Sequence, residues 1–494
     1  MQTEIDWIGK RAQLFSNDRA IIDADTDESW TYFEINERAE QLAAILVDHQ
    51  VNKGDRVALL APNHVSYLDF LFACMKIGAI FVPLNWRLST DELQYVVNDS
   101  GPTFIAVHQL FSEEHEWLEP SMIIKTNDYI NSNHLNDIPL SVVDISEKDP
   151  LAMVYTGGTT GKPKGAVLSH QSIFWNAINT IVSWNLTKED CTLTTIPMFH
   201  TGGLNALTTP ILLAGGTVVL RSTFDPEEAV EELINYRCTT VLFIPTMYHM
   251  IVQTEMFKQA DFPDMKVFLS GGAPCPLTVY EAFKNKGLKF KEGYGLTEAG
   301  PNNFYIDPDE ALLHQGSVGR AMLFNEIKIV DEDGAEVDVN VNGELWLKGK
   351  HLFECYWNNE EETRNAFIQD WFLTGDLARR DAAGYVYIAG RKKEMIISGG
   401  ENIYPLEIEH WLQSHEQVNE VAVVGLPHDK WGEVVAAFVS LCDGHMTEEV
   451  LVKYCEQKLS RYKIPKKFYM VDELPKTHVG KIDKNALVKE YSNI

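Results

Sequence analysis

Twice, over residues 31–82 and again over 177–269, the chain alternates helical spacing with short apolar runs, and this alternation restricts its fold more than any other feature. Thr31 followed by Glu34 has the form of a capping box. The apolar positions Ile35, Ala39, Leu42 and Leu46 behind it recur at the period of a buried helix face. Residues 57–61 then read as a buried strand, 66–77 as a second helix and 79–82 as a second strand. In the later stretch 218–220, 240–244 and 267–269 are short apolar strands. Strands separated by helices pair in parallel through βαβ crossovers, so the expected fold class is α/β, with doubly wound mixed sheets.

Near residue 316 the texture changes. Residues 326–330, a turn at 331–334 and residues 343–348 read as a hairpin. Asp381–Gly384 before Tyr385–Ile388 reads as another, and together they predict a small antiparallel or barrel-like subdomain. A charged connection, Gly390-Arg-Lys-Lys-Glu394, leads into a smaller α+β unit. That unit has a helix opened by Pro405, strands at 421–424 and 434–441, and a helix from about 448 to 459. At 494 residues the chain exceeds what one core serves, and the boundary is placed at Lys393: a domain over 1–392 and a second over 393–494.

The densest chemistry lies at Tyr155–Gly165, where four glycines, three threonines, two lysines and a proline fall between two apolar, strand-like segments. Glycine lets backbone N–H groups approach a ligand, and the hydroxyl and ammonium donors make a polyphosphate the natural guest. A plain Gly/Thr turn does not need two lysines around a proline. A Walker A loop is excluded because Lys162 is followed by Pro163 rather than Ser or Thr. The segment resembles the phosphate-binding signature of the AMP-forming acyl-CoA synthetase, adenylation-domain and luciferase superfamily, which carries Ser or Gly at the position of Gly157.

Further segments match that family in order, over nearly the whole chain. The resemblance implies that Thr156, Gly157, Gly158, Thr159, Thr160, Gly161 and Lys164 hold the phosphates of ATP. Gly272, Ala273 and Pro274, after a buried strand, match the segment that passes along the adenine. In Tyr294-Gly295-Leu-Thr297-Glu298, the tyrosine lies against the adenine, the threonine contacts the α-phosphate and the glutamate holds Mg²⁺. Asp376 takes the ribose diol, Arg391 lies beside the ribose and phosphate, and Lys393 falls at the hinge about which the small, mobile domain turns. Gly400, in Ser398–Pro405, lines the passage for the thiol arm of coenzyme A. Lys481, in Pro475–Asp483, is the catalytic lysine, and His200 matches a gate beside the acyl carboxylate.

The implied activity is an ATP-dependent, AMP-forming carboxylic acid–CoA ligase working through an acyl-adenylate. A fatty acid is the first expectation for the acid, because residues 191–220 contain no Asp, Glu, Lys or Arg, and the small Gly202 and Gly203 after His200 leave room for an apolar acyl chain. An aryl acid or o-succinylbenzoate is the alternative. An adenylating module serving a carrier protein is another, disfavoured by the intact segment around Gly400. Pro197, His200 and Pro210 interrupt the same uncharged stretch, which therefore reads as buried core and not a membrane span, leaving peripheral membrane contact open. The net charge of −29 argues against nucleic acid as a partner and requires local positive charge wherever an anionic ligand binds. Seven scattered cysteines without a CxxC pair, and acids at the N-terminus, fit a cytoplasmic protein without a signal peptide, disulfide framework or zinc site.

Overall fold

The computed structural model describes residues 5–113, 115–130, 143–157, 163–398, 401–428, 430–442, 446–477 and 482–492. Gly158, Thr159, Thr160, Gly161, Gly400 and Lys481 lie outside the described residues. The capping box forms as read: the Thr31 side chain accepts from Glu34 N while Glu34 returns to Thr31 N, opening the helix Tyr32–Asp48. Its face of Ile35, Ala39, Leu42 and Leu46 is buried. The helix Ser66–Ile77 is buried nearly all round and ends at Gly78 in the left-handed conformation that glycine adopts without penalty.

Seven strands make the sheet that carries the phosphate loop. Their order is Cys355–Tyr356, Lys164–Ser169, Pro150–Thr156, Ile80–Pro83, Arg56–Leu60, Phe104–His108 and Met122–Ile124. From Pro150–Thr156 to Met122–Ile124 neighbours are parallel, as the crossovers require. Lys164–Ser169 turns back antiparallel, with Thr156 opposite Lys164, so the loop leaves and re-enters at the end of a hairpin. Gly165 fits because a Cβ there would press on the Met153 sulfur, and Tyr155 ties the hairpin down by donating to Asp99 at 2.6 Å.

A second parallel set joins Thr240–Phe243, Val267–Ser270 and Phe290–Glu292. A third runs Ser29–Thr31, Arg19–Asp23, Thr217–Leu220 and Cys191–Thr194. The uncharged stretch is therefore core: strand Cys191–Thr194, helices Thr201–Asn205 and Thr208–Ala214, and strand Thr217–Leu220, almost wholly buried. Gly203 leaves no room for a ligand, since a Cβ would overlap the backbone of Ile196 and Pro197. Its small size serves close packing there, which corrects the expectation of open space. At Gly202 the nearest atom is the Ile196 methyl at 3.8 Å.

Strands from Phe304–Tyr305 to Val386–Arg391 form a seven-stranded antiparallel sheet, and the long strand Trp371–Arg380 pairs with Val386–Arg391 across the Asp381–Gly384 turn. A 3-10 turn, Lys392–Glu394, follows at once. Beyond it the helix Pro405–Gln413 and the pair Val418–His428 and Gly432–Leu441 build a separate core. Among the described residues no helix is long and apolar enough to cross a membrane.

Candidate active site

Five residues singled out from motifs far apart in the chain converge on one cluster: Lys164, Tyr294, Glu298, Asp376 and Arg391. Strand register creates its first half. Asp376 lies opposite Arg391 in the antiparallel pair, and Arg391 Nε meets Asp376 Oδ1 at 3.1 Å. The Tyr294 hydroxyl donates to Asp376 Oδ2 at 2.6 Å. Asp376 is buried, and Thr374 Oγ accepts from its backbone N–H at 3.0 Å, which fixes the turn where Gly375 adopts a φ of 69°. Burial first, and the Asp376 charge second, push the Tyr294 phenol well above its ordinary range, so it acts as a donor at neutral pH. Burial opposes the charge of Arg391, but Asp376, Tyr294, Glu394 and Glu298 together outweigh it and raise its pKa.

The second half faces the phosphate hairpin. Glu298 sits in the 3-10 turn Thr297–Ala299, where its Oε1 accepts from the Tyr356 hydroxyl at 2.8 Å. Tyr356 belongs to the edge strand beside Lys164–Ser169, and the Lys164 ammonium lies 5.6 Å from the centre of its ring. Lys164 is in turn paired with Glu362 at 2.8 Å. The segment 353–357 is stitched to both sides: Phe353 N donates to Glu298 O at 2.8 Å and Trp357 N to Gly165 O at 2.7 Å. Neither Tyr356 nor Glu362 has a sequence signal for this place. Glu362 stands in an acidic run behind the helix cap Asn359, which reads as an ordinary helix start.

The loop bearing Tyr294 and Glu298 is a closed turn, with Leu296 N donating to Gly300 O and Asn303 N to Tyr294 O. Gly295 is required because the Pro301 backbone occupies the space of a Cβ. The Gly272–Pro274 segment lies next to it. Gly293 N donates to Ser270 O at 2.8 Å, and Cys275 N to Glu292 Oε2 at 3.2 Å. Gly272 has a φ of 83° and, with Ala273, is exposed.

His200 is placed by a different device. Asn63 clamps its loop, donating to Ile196 O at 3.0 Å and accepting from Met198 N at 2.8 Å, and the His200 ring packs 4.4 Å from that of Phe199. Lys393 is exposed in the 3-10 turn, and partial desolvation of its ammonium, then the neighbouring Arg391, lower its pKa; the Lys164 charge acts in the same direction. Thr156 and Gly157 border the phosphate loop, and Thr156 Oγ lies 3.5 Å from Lys164 O.

This donor set suits a magnesium nucleotide. One oriented carboxylate beside a phosphate-binding hairpin is the protein share Mg²⁺ takes, since it keeps its waters and binds substrate phosphates. Cationic Arg391 and Lys164 flank that carboxylate in an otherwise acidic chain.

Comparison with known proteins agrees. The AMP-binding enzyme family matches residues 8–357, and the AMP-binding enzyme C-terminal domain matches residues 407–481. A feruloyl-CoA synthase of an Amycolatopsis species is 35% identical over 98% of this chain and 98% of its own length. A long-chain-fatty-acid–CoA ligase of Mycobacterium tuberculosis is 34% identical over 99% of this chain and 98% of its own. The o-succinylbenzoate CoA synthetase of Bacillus subtilis, solved with its acyl-adenylate intermediate, superposes with a TM-score of 0.89 at 31% identity, covering 98% of this chain and 97% of that one. A second structure of that enzyme holds ATP and a magnesium ion, with a TM-score of 0.87 at 30% identity, covering 98% and 99% of the two chains. ATP, Mg²⁺, coenzyme A and a carboxylic acid are accordingly the ligands of this protein. The chain belongs to the AMP-binding enzyme family, among its AMP-forming acyl-CoA synthetases.

Proposed function

We propose that this ligase acts on an apolar monocarboxylic acid, in the first place a fatty acid, and that the residues above divide its two half-reactions. The observation carrying the choice of acid is the buried Cys191–Leu220 wall, which offers no charged side chain to a second carboxylate. An aryl acid is the second reading. It is favoured by the closed packing at Gly203, which leaves less length for an extended chain on that side.

In the first half-reaction the acid attacks the α-phosphorus and pyrophosphate leaves. No protein nucleophile is needed, so positioning and charge compensation carry the step. Thr156, Thr159, Thr160 and Lys164 hold the departing phosphates, while Thr297 and Lys481 hold the oxygens around the α-phosphate. Asp376, held by Tyr294 and Arg391, takes the ribose, and Gly272–Pro274 with Tyr294 enclose the adenine. Glu298 would hold Mg²⁺, which when bound would supply charge compensation to the phosphates. In the second half-reaction the domain from Lys393 onward turns, withdrawing Lys481 and presenting Gly400 to the thiol arm, and coenzyme A displaces AMP. The 3-10 turn Lys392–Glu394 between two strands supports a hinge there. A cytoplasmic location fits the seven scattered cysteines of the sequence, none of which belongs to a CxxC pair.

The test is pyrophosphate release over a panel of fatty, aryl and dicarboxylic acids, with and without coenzyme A. Turnover of fatty acids to thioesters is the expected result. Turnover of aryl acids alone would select the second reading, and turnover of dicarboxylates alone would reject both.

A further inference from the structure

The pairing of Lys164 with Glu362 is built, not incidental. Glu362 occupies the first turn of the helix Glu360–Asn365, whose cap Asn359 accepts from Glu362 N at 3.2 Å. Thr363 Oγ accepts from Tyr356 N at 2.9 Å, which locks that helix to the edge strand beside the phosphate hairpin. The carboxylate is thereby held 2.8 Å from an ammonium whose side chain is only 14% exposed. A second carboxylate, Glu298, is bound to the Tyr356 hydroxyl, and the Tyr356 ring stands beside the same lysine.

We propose that Glu362 is a positioning residue that occupies Lys164 until a polyphosphate arrives and reclaims it when pyrophosphate departs. This rests on the reading of Lys164 as a phosphate-holding lysine. A ligand with β- and γ-phosphates must compete with Glu362 for one ammonium and also meets the carboxylate's like charge, whereas AMP meets neither cost. Glu362 therefore weakens ATP and pyrophosphate selectively. The penalty keeps the reaction's leaving group from being retained. With the carboxylate of the pair 39% exposed, the energy scale corresponds to up to about fivefold in affinity.

The experiment is calorimetric titration of the full chain with three probes: magnesium α,β-methylene-ATP, magnesium pyrophosphate and AMP. Glu362→Gln is expected to bind the first two roughly twofold to fivefold more tightly and AMP unchanged. Glu362→Asp, which keeps the charge on a shorter arm, should return toward the wild type. Lys164→Ala should weaken the first two. Equal or weaker binding of the ATP analogue by Glu362→Gln, or equal tightening of AMP, overturns the proposal. If Lys164→Ala also leaves the ATP analogue unaffected, the reading of the phosphate loop itself fails.

Discussion

Replacing Glu292 with glutamine should convert a pH-dependent liability beside the Gly272–Pro274 segment into a pH-independent contact. Glu292 is buried and accepts from the Tyr280 hydroxyl at 2.5 Å and from Cys275 N at 3.2 Å. Burial raises its carboxyl from 4.5 to about 7, the two donors only partly opposing the rise. Because folding raises the value, the neutral acid is the form the fold prefers. The stabilising contribution is complete below about pH 4.5 and is lost as pH rises through about 7. At about 1.36 kcal/mol per pH unit, the full loss is roughly 3 kcal/mol, of which about 2–3 kcal/mol falls between about pH 5 and about pH 8.5. Glutamine keeps the shape and cannot ionise. The free-energy difference between Glu292→Gln and the wild type should therefore move in the variant's favour by that amount across the range. Lys291, which burial lowers to about 7, titrates in both proteins and cancels. The assay is amide hydrogen exchange of peptides covering 267–294, wild type against variant at matched pH, because a chain of several domains does not unfold in one step. A difference that stays flat from about pH 5 to about pH 8.5 would refute the reasoning.

Tyr356→Phe removes the donor that orients Glu298 and should raise the Mg²⁺ concentration for half-maximal binding of an ATP analogue by about fivefold, the value of one hydrogen bond of about 1 kcal/mol, leaving AMP binding without metal unchanged. Gly203→Ala should lower the melting temperature by several degrees, because the clash is with backbone and costs about 1–3 kcal/mol, whereas Gly202→Ala should be tolerated; equal effects would contradict the packing described. Lys481→Ala should abolish adenylate formation, assayed as pyrophosphate release, yet spare thioester formation from supplied acyl-AMP. Gly400→Leu should do the reverse, and loss of both steps in either variant would break the assignment of roles.

Wherever a local pattern sufficed, the sequence was legible. The capping box at Thr31, the helix 66–77, the parallel strands near 56–60 and 80–83, and the two strand segments flanking the 155–165 loop form as read. Motif residues were legible for the same reason: glycine, hydroxyl and charge spacing within one loop reflects chemistry that one loop performs. Gly203 misled because a missing side chain records only that space is denied to a Cβ, not whether ligand or backbone takes it.

By itself the sequence determined the fold class and the nucleotide chemistry, since each is written within short segments. Tertiary structure decided how those segments become one electrostatic unit. Asp376 meets Arg391 through antiparallel register, and Tyr294 reaches Asp376 from a loop 82 residues away in the chain. Tyr356 and Glu362 join because an edge strand pairs with the phosphate hairpin. The physical reason is that charge compensation acts over a few ångströms of space, whatever the separation along the chain.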